Sequence, residues 1–130
     1  MHAVRTTSLL IAGLVCFAAP PAHAADKAVH VYLPGHSDAL WAGRGTWHDA
    51  DNRLCALLGQ NDLHDKLVVR IRPTDGEGST FKVVDPEPFP AAEGTCSESL
   101  SLPENRRYRM RVTVHQTNGD RYSVSSPFRT

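Results

Sequence analysis

The chain has 130 residues, enough for one ordinary domain, with 41% hydrophobic, 22% charged and 7% aromatic side chains. Lys plus Arg and Asp plus Glu are balanced at 14 each, so the formal net charge is zero and the broad basic footprint of a nucleic-acid binder is missing. There are no internal repeats, no low-complexity tracts and no helical period of useful length, which leaves an all-β domain as the expectation.

Residues 1–24 have the three parts of a secretory signal peptide. Arg5 gives a positive start, residues 9–19 form an apolar run, and Ala22-His23-Ala24 fits a small-x-small cleavage site. The run is shorter than the roughly 20 residues that span a bilayer, so an address is expected and a membrane span is not. Cleavage near Ala24 leaves residues 25–130 as a single secreted domain. Among charged residues it removes Arg5 alone, so the mature domain stays close to neutral. It also removes Cys16, leaving Cys55 and Cys96 in an oxidising compartment, and that even count predicts one disulfide. Closing a loop of about 40 residues contributes roughly 4 kcal/mol in the chain-entropy picture.

In the mature chain, residues 28–33 alternate weakly and are rich in β-formers, which predicts a first strand ended by Pro34-Gly35. Residues 36–44 are ambiguous, with Asp38-Ala39-Leu40-Trp41 able to form one helical turn. Residues 45–49 predict a short strand with Trp47 inward, then turn chemistry at Asp49-Ala50-Asp51-Asn52, then an apolar run at 54–58 carrying Cys55. Residues 66–72 alternate well, with Leu67, Val69 and Ile71 on one face and Val68, Arg70 and Arg72 on the other. A turn at 73–79 leads to a strand at 80–84 with Phe81 and Val83 on one face. Pro86, Pro88 and Pro90 force an extended path, and residues 94–102 are expected to hold another strand with Cys96 and Leu100.

The final hairpin is the best-specified element. Tyr108, Met110, Val112 and Val114 alternate with Arg107, Arg109, Arg111, Thr113 and His115. A two-residue loop at Asn118-Gly119 would set Val114 opposite Ser123. A three-residue loop, Thr117-Asn118-Gly119 with Gly119 left-handed, instead pairs Val114 with Tyr122, Val112 with Val124, Met110 with Ser126 and Tyr108 with Phe128. Because a one-residue slip turns every side chain over, the pattern selects the second register.

About seven short strands with turn signals between them predict an antiparallel two-sheet sandwich of immunoglobulin or fibronectin type III kind, with a small β-barrel as the alternative. The leader, Gly45-Thr46-Trp47-His48-Asp49, Cys55, Cys96 and the closing arginine-rich hairpin resemble small secreted β-sandwich proteins of actinobacteria. That resemblance implies fold and secretion and no particular chemistry.

Chemistry-bearing motifs are scarce. His48 and His64 flank Asp49, Asp51, Asp62 and Asp65, which would need to fold together to hold a transition metal. Asp49-x-Asp51-Asn52 opens like a calcium loop but lacks the glycine and the distal glutamate, and Asx turns explain the same residues. No cofactor is implied. No Gly-x-Ser-x-Gly elbow or phosphate loop is present, and Asp85, Glu87 and Glu93 in the Pro-rich loop are expected to be solvated, so no enzyme is expected.

The arginine stripe is the most specific feature left. The chosen register puts Arg107, Arg109, Arg111, His115, Arg121 and Arg129 on the outer face, about 7 Å apart along a strand. Like charges so placed repel, and something must offset them. The first expectation is local: residues 85–104 carry five acidic side chains and no basic one. The second is an acidic protein, a polysaccharide or an anionic envelope polymer bound at Arg107, Arg109, Arg111, His115 and Arg121. The functional expectation is a secreted domain that acts by binding a protein or an extracellular polysaccharide. Its rivals are an inhibitor of an extracellular hydrolase, presenting loop 86–94 or 36–44, and a small enzyme with an unrecognised site.

Overall fold

The computed structural model describes residues 26–34, 40–60, 63–89 and 94–130. Residues 1–24, expected to be a signal peptide, His36, Asp62, Glu93 and much of the two loops singled out above lie outside them. The strands are β1 (Lys27–Leu33), β2 (Leu40–His48), β3 (Arg53–Leu58), β4 (His64–Pro73), β5 (Phe81–Asp85), β6 (Thr95–Cys96), β7 (Arg107–Gln116) and β8 (Arg121–Arg129). Two antiparallel four-stranded sheets, in the orders β1-β2-β3-β6 and β5-β4-β7-β8, pack against each other as a sandwich. The domain is therefore an all-β sandwich, of eight strands where about seven were expected.

Period-two patterning builds the core. Leu67, Val69 and Ile71 of β4 and Met110, Val112 and Val114 of β7 are fully buried, and they meet Val31, Ala42, Trp47, Leu54 and Leu58 from the first sheet. Trp47 points inward as the alternation requires, with Phe128 6.0 Å from it between ring centroids and Tyr108 5.8 Å beyond. The sheets come closest at Gly45. A Cβ there would lie 2.7 Å from Val69 Cγ1 and 2.8 Å from Val112 Cγ2, so only glycine fits. Gly43 is crowded separately, a Cβ there falling 2.5 Å from the Leu57 carbonyl oxygen, so β2 carries glycine at both positions. The helical turn considered at 38–41 is not formed over its described part, since Leu40 and Trp41 pair with Leu33 and Tyr32.

The closing hairpin has the register derived from its pattern. Val114 faces Tyr122, Val112 faces Val124, Met110 faces Ser126 and Tyr108 faces Phe128. Gly119 is left-handed at φ 94° and donates its N–H to the Gln116 carbonyl at 3.0 Å. β8 lies at the sheet edge, which leaves Val124 38% exposed and lets Pro127 sit in a strand without breaking a ladder.

Cys55 and Cys96 are directly opposite on β3 and β6 and form a disulfide with a sequence separation of 41. The bond ties neighbouring strands of one sheet on its outer side. Beyond it the expected strand at 94–102 stops early, because the Ser97 hydroxyl replaces a ladder carbonyl as acceptor for Leu54 N–H at 3.0 Å. Leu100 and Leu102 still pack against the core.

Asp85 departs from the expectation of a solvated carboxylate. It is 1% exposed. It ends β5 and accepts Leu58 N–H at 2.8 Å, the Thr95 hydroxyl at 3.2 Å and Glu87 N–H at 3.4 Å, so it joins strands of both sheets. Burying a carboxylate is costly unless such donors surround it. Asp85→Ala leaves those donors without an acceptor and is expected to cost about 2–4 kcal/mol in urea unfolding, with Asp85→Asn costing clearly less. Equal and small losses would contradict this role.

Candidate functional site: the outer face of the second sheet

Inward positions of β4, β5 and β7 are taken by the core, so their alternate residues form one outer face. Strand pairing arranges that face in rows running across the strands. Lys82, Arg70 and Arg111 stand in direct register on β5, β4 and β7, ending at Ser125 on β8. Arg72 faces Arg109 two residues further along, and Arg107 faces Arg129 beyond that. On the other side, Lys66, His115 and Arg121 form a second basic row. Between the two rows lies a line of short neutral side chains, Val84, Val68, Thr113 and Ser123.

Side-chain length turns this arrangement into a trough. Long Lys and Arg side chains stand on both sides of a floor of Val, Thr and Ser, flanking an open depression of about 520 Å³. At the floor, the Thr113 and Ser123 hydroxyls share a hydrogen bond of 2.7 Å. A second depression of about 390 Å³ continues the basic surface past Arg72 and Arg109 towards the β4–β5 turn.

Among the described residues the expected local compensation is not seen. Of the acidic residues in segment 85–104, Asp85 is buried and engaged with backbone, and Glu87, Glu98 and Glu104 are exposed without an ion pair. Among the described residues the ion pairs are Arg106 with Asp75 at 2.9 Å and His48 with Asp26 at 3.2 Å, and neither uses a cation of these rows. Arg129 is held by the Asn105 side-chain carbonyl at 2.8 Å, a neutral partner. Among the described residues, no carboxylate lines the trough.

Charge crowding registers at His115. Its pKa is lowered from 6.5, first by burial and then by the positive charges of Arg121 and Lys66, with Asp65 at the end of the face pulling the other way. Elsewhere Asp75 is held below the usual carboxylate range by Glu77 N–H and by the Arg106 guanidinium. Asp26 is lowered by Asp49 N–H and by His48.

The other candidates are placed differently. His48 sits on the first sheet against Asp26 at 3.2 Å, whereas His64 is buried in the second sheet with Nδ1 3.3 Å from the Gly59 carbonyl, so the two do not meet. In the stretch compared with a calcium loop, Asp49 accepts the Trp47 indole N–H at 3.3 Å and Asn52 takes a left-handed conformation. Those are turn roles. Among the described residues, no three His, Cys, Asp or Glu converge as metal ligands. Of loop 86–94, Pro88 bridges Leu58 and Phe89 is 47% exposed. Tyr32, His30 and Trp41 cluster on the first sheet, with the Trp41 indole donating to His30 Nδ1 at 3.0 Å.

Sequence reasoning found Arg107, Arg109, Arg111, His115 and Arg121, and they share this face with one another. It missed that Lys66, Arg70, Arg72 and Lys82 join them. The alternation in 66–72 had already turned Arg70 and Arg72 outward, but nothing local says that β4 lies beside β7. No helix among the described residues is long and apolar enough to cross a membrane. Comparison with protein-family models, with curated proteins and with solved structures returns no match.

His115 carries a pH signature. Its folded-state pKa lies below the unfolded value, so on acidification the unfolded chain takes up the proton first. Its contribution to stability is complete above pH 6.5 and is lost as pH falls through the depressed folded value. His115→Gln is expected to flatten the decline in unfolding free energy between about pH 7 and 5. A slope unchanged from the parent protein would show that the crowding is not felt at this ring.

Proposed function

We propose that the protein is a secreted, non-catalytic binding domain, immunoglobulin-like in the broad architectural sense, that holds an anionic partner on the outer face of its second sheet. The observation that carries this reading is the row Lys82–Arg70–Arg111. Three cations in direct cross-strand register form no ion pair among the described residues. Like charges directly opposite on a sheet are destabilising, and an oppositely charged ligand removes that cost. Secretion is supported by the signal-peptide pattern, by the resemblance to secreted actinobacterial sandwiches and by the Cys55–Cys96 disulfide, a bond that persists in oxidising compartments.

An inhibitor of an extracellular hydrolase is the second reading, and Phe89, 47% exposed on a loop tied at Pro88 to Leu58, is the observation in its favour. Saturable inhibition of a protease or glycosidase that is lost in Phe89→Ser would support it.

The principal test uses dextran sulfate as a generic polyanion at low salt. Changing Arg107, Arg109 and Arg111 together to Gln is expected to weaken its binding about tenfold, at roughly 0.5 kcal/mol for each exposed contact. The salt dependence is expected to become shallower as well. Binding unaltered by the triple substitution would remove this face as the site.

A further inference from the structure

We infer that the trough in this face is a subsite for a linear anionic polysaccharide lying across the strands, an inference that rests on the anionic-partner reading above and narrows it to one ligand chemistry. The trough crosses β5, β4, β7 and β8, a distance of three strand spacings or about 14 Å. A pyranose chain advances by close to one strand spacing per ring, so about three or four rings fit along it. Cations on both walls, Lys82, Arg70 and Arg111 on one side and Lys66 and Arg121 on the other, match sulfate or carboxylate groups projecting to both sides of such a chain.

The floor separates this ligand from other polyanions. Val84 and Val68 offer an apolar surface for the C–H face of a sugar ring, while Thr113 and Ser123 offer hydroxyls for its hydroxyl groups. An acidic peptide finds no backbone partner there, because the N–H and C=O groups of β4 and β7 are engaged in ladders on both sides. Single-stranded nucleic acid is held mainly by bases stacking on broad aromatic side chains, and among the described residues the trough lining has no Phe, Tyr or Trp, only the His115 imidazole on its wall. His115, on the wall between Lys66 and Arg121, gains positive charge on acidification, with Asp65 the acidic group acting on it, so affinity rises at lower pH.

Calorimetry at low salt with a heparin-derived hexasaccharide as probe tests this, with poly-L-glutamate and a thymidine dodecanucleotide as rivals. The hexasaccharide is expected to bind at least about tenfold more tightly per charge than either rival. Val68→Trp fills the floor without changing any charge, and it is expected to weaken the hexasaccharide about tenfold while leaving poly-L-glutamate binding to the surrounding cations within about twofold. Thr113→Trp is the second plug, used if the first disturbs the melting transition. Arg44→Ser, which removes one cation from the other sheet, is expected to leave hexasaccharide binding as it was. Hexasaccharide binding unaffected by the plugs overturns the trough while the anionic-face reading survives. Preference for poly-L-glutamate or for the oligonucleotide overturns the polysaccharide in favour of an acidic protein or a nucleic acid. Failure of all three probes to bind removes the underlying reading itself.

Discussion

The contact of Val69 and Val112 with the bare backbone of Gly45 sets how closely the two sheets approach, and the outer surfaces follow from it. A strand has two faces only, so fixing which residues of β4 and β7 look inward fixes which look outward. Slipping either strand by one residue would bury guanidinium groups in an apolar core, at a cost far above any alternative packing. The core thus determines the position of Arg70 and Arg111 as firmly as that of Val69 and Val112. Fold and candidate site are two sides of one alternation.

That coupling explains how a chain with zero net charge presents a strongly basic face. The acidic residues are present in equal number, but topology disperses them. Asp85 is drawn into the interior as an acceptor for Leu58 and Thr95, Asp75 is paired with Arg106 at the β4–β5 turn, and Asp26 is engaged by His48 and Asp49 on the other sheet. What remains between β5 and β8 is a surface whose repulsion is relieved by water and counterions. A trough with cationic walls and a neutral floor is complementary to charge at a ligand's margins and a neutral body, the chemistry proposed above for an acidic glycan.

Local features were legible in the sequence and non-local ones were not. The hairpin register could be derived because the loop residues and both strands lie within residues 107–129, where alternation and Gly119 leave one consistent solution. The inward Trp47 and the pairing of Cys55 with Cys96 followed from equally simple signals, alternation and an even cysteine count. The extent of β2 before Gly45 was hidden because Gly43 looks like a strand breaker until the Leu57 carbonyl and Leu67, which need its missing side chain, are known. Asp85 was read as solvated from its place beside prolines, whereas its partners come from β3 and β6, distant in sequence. The full width of the basic face was hidden for the same reason. The order β5-β4-β7-β8 brings Lys82 and Arg70 beside Arg111, and strand order is a property of the whole chain.

The central claim is that the cations of the second sheet repel one another without compensation from the protein's own carboxylates. The thermal midpoint as a function of sodium chloride, from about 10 to about 300 mM, tests it most directly, because the screening length shrinks several-fold across that range. With uncompensated repulsion the midpoint rises by a few degrees as the charges are screened, outweighing the weakening of the Arg106–Asp75 and His48–Asp26 pairs. A midpoint that falls with salt would mean that attractive pairs dominate and that the basic face is neutralised from within.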